Sequence, residues 1–413
     1  MKKKLLVYAH YFYPDVASTG QILTELCEGL IEDFHITVIC VVPSYDGKVE
    51  EKYKKKRIHI ENYKGINVMR VRVPEFDKKN KISRVKNIVT YFFNAIIATF
   101  KAGKQDVVFS ISQPPILGGL LGIIGKTLKR AKYIYNIQDF NPEQTEAVGY
   151  SKNKFVLNFA RALDKFSCKR ADTIIVVGRD MQQTLEKRFK GGDVPHSVVI
   201  NNWIDEMQIY PLEGKDLKVL SFKNQYGLKD KFVFMCSGNI GLYYDLENII
   251  KVIGEFKDRA DVVFAFVGDG IMKQTLVDYT LENSLRNVVF IPYQDKDDLI
   301  YSLNAADVHI VTNAKGIKGI SVPSKIYGVM ASGKAVLGVL EEGSEARLLI
   351  ENCNCGTCAC PGDYAKIKEM ISEIIDKQIS FKKLGANGRK TIDEKLKKNR
   401  SIDKYAEILN NRL

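Results

Sequence analysis

The stretch FVFMCSGNIGLYYDLENIIKVI, residues 232–253, decides the fold class. Its first six residues, Phe232 to Ser237, are apolar or small throughout, as a strand buried on both faces requires. Gly238, Asn239 and Gly241 then make a turn, and from Asp245 onward apolar residues return at helical spacing. Strand, glycine turn and helix form the repeating unit of an α/β domain. The free backbone N–H groups where such a helix opens suit an anion or a sugar hydroxyl. The turn is not a G-x-G-x-x-G fingerprint, so taken alone it also fits an ordinary strand–helix connection.

Working outward, the same unit recurs. In the second half, strands are expected at 262–267, 288–291, 308–312 and 335–339. Helical patterns at 271–283, 296–304 and 324–331 alternate with them. In the first half, apolar strands are expected at 5–9, 36–42, 68–73, 107–111, 133–137, 173–177 and 198–200, with helices such as 21–31 and 155–169 between them. Apolar strands alternating with helices predict parallel sheets covered on both faces. The alternation breaks once, at 203–231, where Pro211, Gly214, Gly227 and many charges gather. We therefore expect a domain over 1–205, a linker at 206–230, a second domain over 231–389 and a charged C-terminal helix, 390–413, able to cross the junction. Ligands of such sheets bind at the carboxyl ends of the strands, so the loops of both domains are expected to face one central cleft.

Further turns strengthen the second domain as a nucleotide binder. FVGDG, 266–270, places Gly268 and Gly270 after a strand, and GIKGISVPSKIYGVMASGKAVLGV, 316–339, sets Ser324 as an N-cap with Lys325 beside it. A helix start there would favour a diphosphate by about 0.3–2 kcal/mol through its dipole, with the lysine adding charge. In the first domain YPDVASTGQILTEL, 13–26, reads as a small-residue turn, Ala17 to Gly20, opening a helix, with Gly20 letting a ligand approach the backbone. YNIQDFNPEQTEAVG, 135–149, puts Asp139 at a strand end, where a carboxylate can accept a proton; Glu143 and Glu146 beyond it read as solvated acids.

Bulk properties set limits. The chain has 413 residues, 45% hydrophobic and 27% charged, the profile of a water-soluble globular protein. Its net charge is +13, and residues 48–104 hold sixteen Lys and Arg against five Asp and Glu, so one segment carries nearly all the excess. That is either a solvated surface or a docking site for an anionic partner. The start, MKKKLLVYAHYFYPD, is broken by His10 and Pro14 and reads as a first strand, not a signal peptide. The apolar runs 88–100 and 114–124 are too short to span a bilayer. Glycines in the second suit a buried helix with close backbone approach. Of eight cysteines, Cys353, Cys355, Cys358 and Cys360 crowd together, but their spacing lacks the paired C-x2-C knuckles of common zinc sites. No metal is expected.

The order ASTGQ, QDFNPE, INNWID, SGNIG, VGDG, PSKIYGVMASGK and GSEARLLIENCNCG resembles the family 4 glycosyltransferases, over essentially the whole chain. It is most similar to bacterial O-antigen and capsule enzymes, including N-acetyl-L-fucosamine transferases. The resemblance implies a GT-B fold, a metal-independent retaining transfer, a nucleotide sugar, expected as a UDP-sugar, in the second domain and an acceptor in the first. It implies donor contacts from Gly20, Gly238, Asn239, Gly241, Gly268, Tyr293, Ser324, Lys325 and Glu345, with Asp139 and Lys325 as catalytic residues. Two glutamates eight apart in many members correspond here to Ile320 and Gly328, and the first-domain histidine of many relatives corresponds to Gln138. The resemblance also implies a lipid-linked saccharide acceptor. Lys78, Lys79, Lys81, Arg84 and Phe92 would then dock the protein on the inner face of the plasma membrane, leaving it cytoplasmic and peripheral, with no nucleic-acid partner. Two other readings compete: a UDP-sugar 2-epimerase of the same fold, poorly served by five histidines, and a non-catalytic basic membrane-surface binder.

Overall fold

The computed structural model describes residues 2–77, 80–149, 153–376 and 380–410. The chain divides into two compact units, residues 1–201 with 399–413, and residues 202–398.

Among the described residues the first unit holds eight strands: β1 (Lys3–Tyr8), β2 (Phe34–Val41), β3 (Ile58–Tyr63), β4 (Ile66–Val71), β5 (Val107–Ile111), β6 (Lys132–Ile137), β7 (Thr173–Val176) and β8 (Ser197–Val199). They lie in the order β3-β4-β2-β1-β5-β6-β7-β8. All neighbours are parallel except β3, which pairs antiparallel with β4 at the edge. The edge strand escapes the hydropathy pattern because its residues are mostly half-buried or exposed.

The glycine-rich run is the expected buried helix, Leu117–Lys129, and its glycines have a mechanical purpose. A Cβ on Gly118 would lie 2.0 Å from the Ile111 carbonyl oxygen, and one on Gly122 would lie 2.1 Å from the Tyr133 ring. Only glycine lets this helix settle onto sheet tyrosines. Their hydroxyls are paired in turn: Tyr133 with Ser110 at 3.0 Å, and Tyr135 donating to Asp164 at 2.7 Å.

The second unit holds β9 (Phe232–Ser237), β10 (Val262–Val267), β11 (Val288–Ile291), β12 (Val308–Thr312), β13 (Ala335–Val339) and β14 (Gly356–Ala359). The sheet is wholly parallel, in the order β11-β10-β9-β12-β13-β14. Counted from its own first strand this is 3-2-1-4-5-6, the doubly wound order whose direction reverses between β9 and β12. Phe234, Phe264, Ile249 and Ile253 are among the residues of one apolar layer that packs this sheet against its helices, each such side chain contributing about 1.5–3 kcal/mol by leaving water.

Two expected boundaries fall elsewhere. Residues 206–230, expected as a linker, lie inside the second unit. There Asp216 caps a helix, Leu217–Gln225, that buries Val219 and Phe222 beside Val233 and Met235; its many exposed charges hide those two anchors from a sequence reading. The expected helix at 390–413 is two. Phe381–Lys395 belongs to the second unit, where a Cβ on Gly385 would lie 2.0 Å from the Gly333 carbonyl oxygen. Lys398–Leu409 follows, and from Asn399 the chain belongs to the first unit, where the Tyr405 hydroxyl accepts from Asn136 at 3.2 Å.

Candidate functional site

In a parallel sheet that reverses direction, the crevice opens at the carboxyl ends of the two strands flanking the reversal. In the second unit those strands are β9 and β12, and the turn after β9 is Gly238 to Tyr244. This turn is built by backbone. Gly238 N–H donates to the Val267 carbonyl at 2.9 Å, Gly268 N–H to Ile291 at 3.0 Å and Ile240 N–H to Asp269 at 2.9 Å, extending the ladder beyond the strands. The two glycine turns press together so closely that a Cβ on Gly268, at φ +132°, would lie 2.1 Å from the Gly238 carbonyl oxygen. The Asn239 side chain packs over Gly241, 3.0 Å from where a Cβ would stand.

The far end of the turn is fastened across the reversal. Thr312 Oγ1 donates to the Tyr244 carbonyl at 2.9 Å, and Ala314 N–H donates to the Tyr243 carbonyl at 2.7 Å. Tyr244 is thereby fixed as a platform, and Lys325 lies on it: its Nζ stands 4.2 Å from the ring centroid. That ammonium is shut off from solvent and has no hydrogen-bond partner among the described residues. A buried cation held only by a ring face is costly, and an anion is its natural complement. Lys325 is also the neighbour of Gly238, its Cε 3.8 Å from where a Cβ would be. The structure therefore gathers Gly238, Asn239, Gly241, Gly268 and Lys325 at one strand edge.

Other expected residues stand differently. Ser324 occupies the position before helix Lys325–Ala331 in helical conformation, and its side chain makes no capping hydrogen bond there. The expected cap is corrected. The helix is only seven residues long, so its dipole is a minor contributor beside the lysine charge. Glu345, the first residue of helix Glu345–Cys353 after β13, is 2% exposed, a deeply buried acid. Tyr293 lies exposed two residues past β11. Ile320 and Gly328, which replace the paired glutamates, are buried and apolar, with a Gly328 Cβ position 3.4 Å from Leu303. Nearby, the Glu341 carboxylate accepts from Gly316 N–H at 2.9 Å and Lys318 N–H at 3.0 Å, tying the loop before that helix to the one after β13. The cysteines disperse: Cys355 is buried and Cys360 Sγ accepts from Arg347 at 3.3 Å. Among the described residues no group of three or more His, Cys, Asp and Glu is placed to hold a metal ion.

In the first unit the reversal lies between β1 and β5. Thr19 Oγ1 bridges it, donating to Gln113 Oε1 at 2.7 Å. Residues 18–20 are not a turn before the helix but the first turn of helix Ser18–Leu30 itself. The space a Gly20 side chain would take is filled by the protein's own backbone, the Tyr11 carbonyl oxygen lying 3.1 Å from the Cβ position. The expected approach of a ligand to the Gly20 backbone is corrected accordingly. Asp139 is half-buried past β6, its N–H donating to Ser112 Oγ at 3.2 Å and its Oδ1 accepting from Gln144 at 3.2 Å. Gln138 donates to Asn136 Oδ1 at 2.6 Å. Glu143 and Glu146 are not merely solvated: both pair with Arg161, and Glu143 also pairs with Arg188, which joins buried Asp164. Burial works to raise Glu143, but the Arg188 charge overcomes it and holds the carboxyl below its ordinary value.

Sequence reasoning missed two groups. Asp15 is fixed after β1 by Ser44 and Tyr45 N–H groups at 3.1 and 3.0 Å, with its other oxygen buried and unpartnered among the described residues; burial pushes its carboxyl up to about 6. Tyr244, the platform under Lys325, follows a turn whose glycines drew the attention. On the basic helix, Tyr91 is fully buried and donates to the Ala9 carbonyl at 3.2 Å, and Phe92 is half-buried. The outward apolar side is instead Ile82, Val85, Val89, Phe93 and Phe100. Lys81 and Arg84 are exposed on it, and Lys78 and Lys79 lie outside the described residues.

Comparison with known proteins settles the class. The family profile described as glycosyl transferases group 1 matches residues 220–391, and that described as a glycosyl transferase 4-like domain matches residues 19–203. The chain is a glycosyltransferase. The transferase is 29% identical over 339 residues to the probable glycosyltransferase WbjE of Pseudomonas aeruginosa, covering 81% of this chain and 82% of that one. It is 24% identical over 357 residues to the putative colanic acid biosynthesis glycosyl transferase WcaI of Escherichia coli K12, covering 84% and 86%. Its fold matches Anabaena Alr3699/HepE, solved with UDP and glucose, at a TM-score of 0.72 over 99% of both chains and 15% identity. The transferase has the GT-B fold, with two parallel-sheet α/β domains.

Proposed function

We propose that the transferase moves an N-acetylated sugar from a UDP donor onto a lipid-linked saccharide during assembly of a bacterial surface polysaccharide, with retention of anomeric configuration. The observation that carries the donor half is the buried, unpartnered Lys325 ammonium at the β9–β12 reversal. A diphosphate supplies the anion this ammonium lacks, and Gly238 beside it is bare enough for a phosphate to approach. The UDP and glucose bound by HepE and the colanic acid role in WcaI's name support the same reading.

In this reading the bond from the anomeric carbon to the diphosphate oxygen breaks as the acceptor oxygen bonds on the same face. The acceptor proton passes to the leaving phosphate oxygen or to Asp139. Lys325 stabilises the charge that builds on the diphosphate, the kind of preorganised electrostatics that usually dominates such catalysis. No metal is called for. Lys81 and Arg84 contribute to a docking site by which the first domain meets the inner membrane surface, where a lipid-linked acceptor resides.

A donor panel decides it. UDP-sugars with a lipid-linked monosaccharide acceptor are expected to release UDP in an acceptor-dependent way, and NMR of the product is expected to show the donor's anomeric configuration kept. If UDP produces no rise in melting temperature at high concentration, the donor assignment is wrong.

A further inference from the structure

Three helices lie side by side on one face of the first domain's sheet: Lys81–Lys101, Leu117–Lys129 and Lys154–Arg170, the middle one packed against both others. Together they carry eleven Lys and Arg and one acid, Asp164. Asp164 is buried and paired with Arg188, so none of the exposed positions on these helices is a carboxylate. Arg161 is answered by Glu143 and Glu146 from the neighbouring segment.

The apolar side chains are distributed just as unevenly. Five phenylalanines are exposed among the described residues, Phe93, Phe100, Phe155, Phe159 and Phe166, and all five stand on the two outer helices. The outer helices also begin alike, as NKIS at 80–83 and NKFV at 153–156. Asn80 Oδ1 accepts from Ile82 and Ser83 N–H, and Asn153 Oδ1 accepts from Phe155 and Val156 N–H, at 3.0–3.2 Å. Each cap holds its first turn in place, yet what that turn presents is a wholly exposed apolar residue: Ile82 and Phe155 are each 81% exposed. Each helix also places a lysine first and no acid in the first turn, an arrangement that works against the helix dipole. Neither choice serves the stability of the domain in water.

We propose that helices Lys81–Lys101 and Lys154–Arg170 form one docking face for an anionic lipid bilayer, their capped first turns entering the interface. The second helix is the new element, and the inference rests on the lipid-linked acceptor reading above. A rim with an excess of cations around apolar tips matches a surface that is anionic over an apolar interior. A protein partner offers patches of both signs, whereas the exposed acids beside these helices, Glu146 and Asp172, are already taken by Arg161 and Lys126. No described helix is long and apolar enough to cross a membrane, so the face rests on the lipid. Both first turns lie at the carboxyl edge of the sheet, the edge that carries Asp139 and Thr19, so docking brings that edge to the headgroups.

The test uses the full chain and sucrose-loaded phosphatidylcholine vesicles with and without phosphatidylglycerol. The native chain is expected to sediment with the anionic vesicles only. Ile82→Glu with Phe93→Glu, and separately Phe155→Glu with Phe159→Glu, are each expected to weaken this at least about tenfold while melting temperature and its response to UDP stay unchanged. A Phe159→Trp chain is expected to be quenched by bromine-labelled lipid, against a native background in which Trp203 is buried. Loss with the first pair alone, and no quenching, overturns the two-helix face while leaving single-helix docking. A chain that ignores both vesicles but self-associates through these residues shows that a second copy covers the face and overturns the proposal. Loss of the UDP response in the native chain would instead indict the donor reading.

Discussion

Replacing Lys325 with alanine separates a catalytic role from a structural one, because the two predict opposite signs. Among the described residues the ammonium's favourable contact is with the Tyr244 ring at 4.2 Å, worth about 0.5–2 kcal/mol. Against it stands the cost of a buried polar group with no hydrogen bond, about 1–3 kcal/mol and more for a charge. The terms nearly cancel, so Lys325→Ala is expected to leave the unfolding free energy unchanged or slightly raised. With a diphosphate bound the balance changes. A unit charge pair about 4 Å apart at an effective dielectric near 20 is worth about 4 kcal/mol, and forfeiting some 3 kcal/mol of it lowers the rate about a hundredfold. The assays are urea unfolding, UDP release with acceptor, and melting temperature with and without UDP. Turnover should fall about a hundredfold and the UDP-induced rise in melting temperature should shrink, with unfolding unmoved. Lys325→Met, which keeps the packing on Tyr244, should behave like alanine. Turnover within about threefold of native would remove the lysine from the mechanism; a fall in stability that parallels the fall in rate would show a structural strut instead.

Asp139→Asn is expected to reduce transfer at least about tenfold while leaving the UDP-induced rise in melting temperature intact, since its proposed task is proton transfer; equal loss of both would contradict that assignment. Gly268→Ala places a methyl 2.1 Å from a carbonyl oxygen at φ +132° and should cost at least about 2 kcal/mol in urea unfolding, whereas Gly238→Ala, also strained at φ +116° but with its methyl meeting the movable Lys325 chain, should cost less than that and weaken UDP binding as well. Two buried histidines, His10 in the first domain and His309 in the second, are held down to about 4 by burial, with the Asn87 side chain and the Leu303 carbonyl respectively opposing it. Because the folded values are depressed, their stabilisation is complete above about pH 6.5 and is lost as pH falls toward 4; urea midpoints should drop over that window, and His309→Gln should flatten the slope.

The architecture was legible because it rests on hydropathy over long spans. Strands buried on both faces leave continuous apolar runs, and each of the expected ones lies on or overlaps an observed strand. What hid was whatever does not repeat. β3 alternates weakly because neither of its faces is well covered. The helix at Leu217–Gln225 shows two buried anchors in a charged segment, too few to outweigh its Pro and Gly neighbours. On the helix after Asn80 the sequence marks an amphipathic pattern but not its phase: Tyr91 looks as exposed as Phe93, and only the sheet beneath settles that one is core and the other surface.

The same distinction runs through the site. Glycines are conspicuous in a sequence, so the turns after β9 and β10 stood out, but the reason for them did not. At Gly268 and Gly270 the missing side chains make room for the neighbouring turn, 2.1 Å from Gly238 O and 2.3 Å from Ile240 O, not for a ligand. Among the described residues a Cβ on Gly238 would meet only the Lys325 side chain within 4 Å, so the first two glycines let the turns close on each other and the third leaves the space beside the lysine open. Lys325 itself follows a serine and a proline, and nothing in that order tells that its ammonium will be buried without a counterion. That follows from Thr312 and Ala314 clasping the Tyr243–Tyr244 carbonyls from the other side of the strand reversal, a contact between segments some seventy residues apart. Long-range clasping of this kind makes an ordinary lysine a charge in want of an anion. For this reason the proposed donor site is a property of the topology more than of any motif.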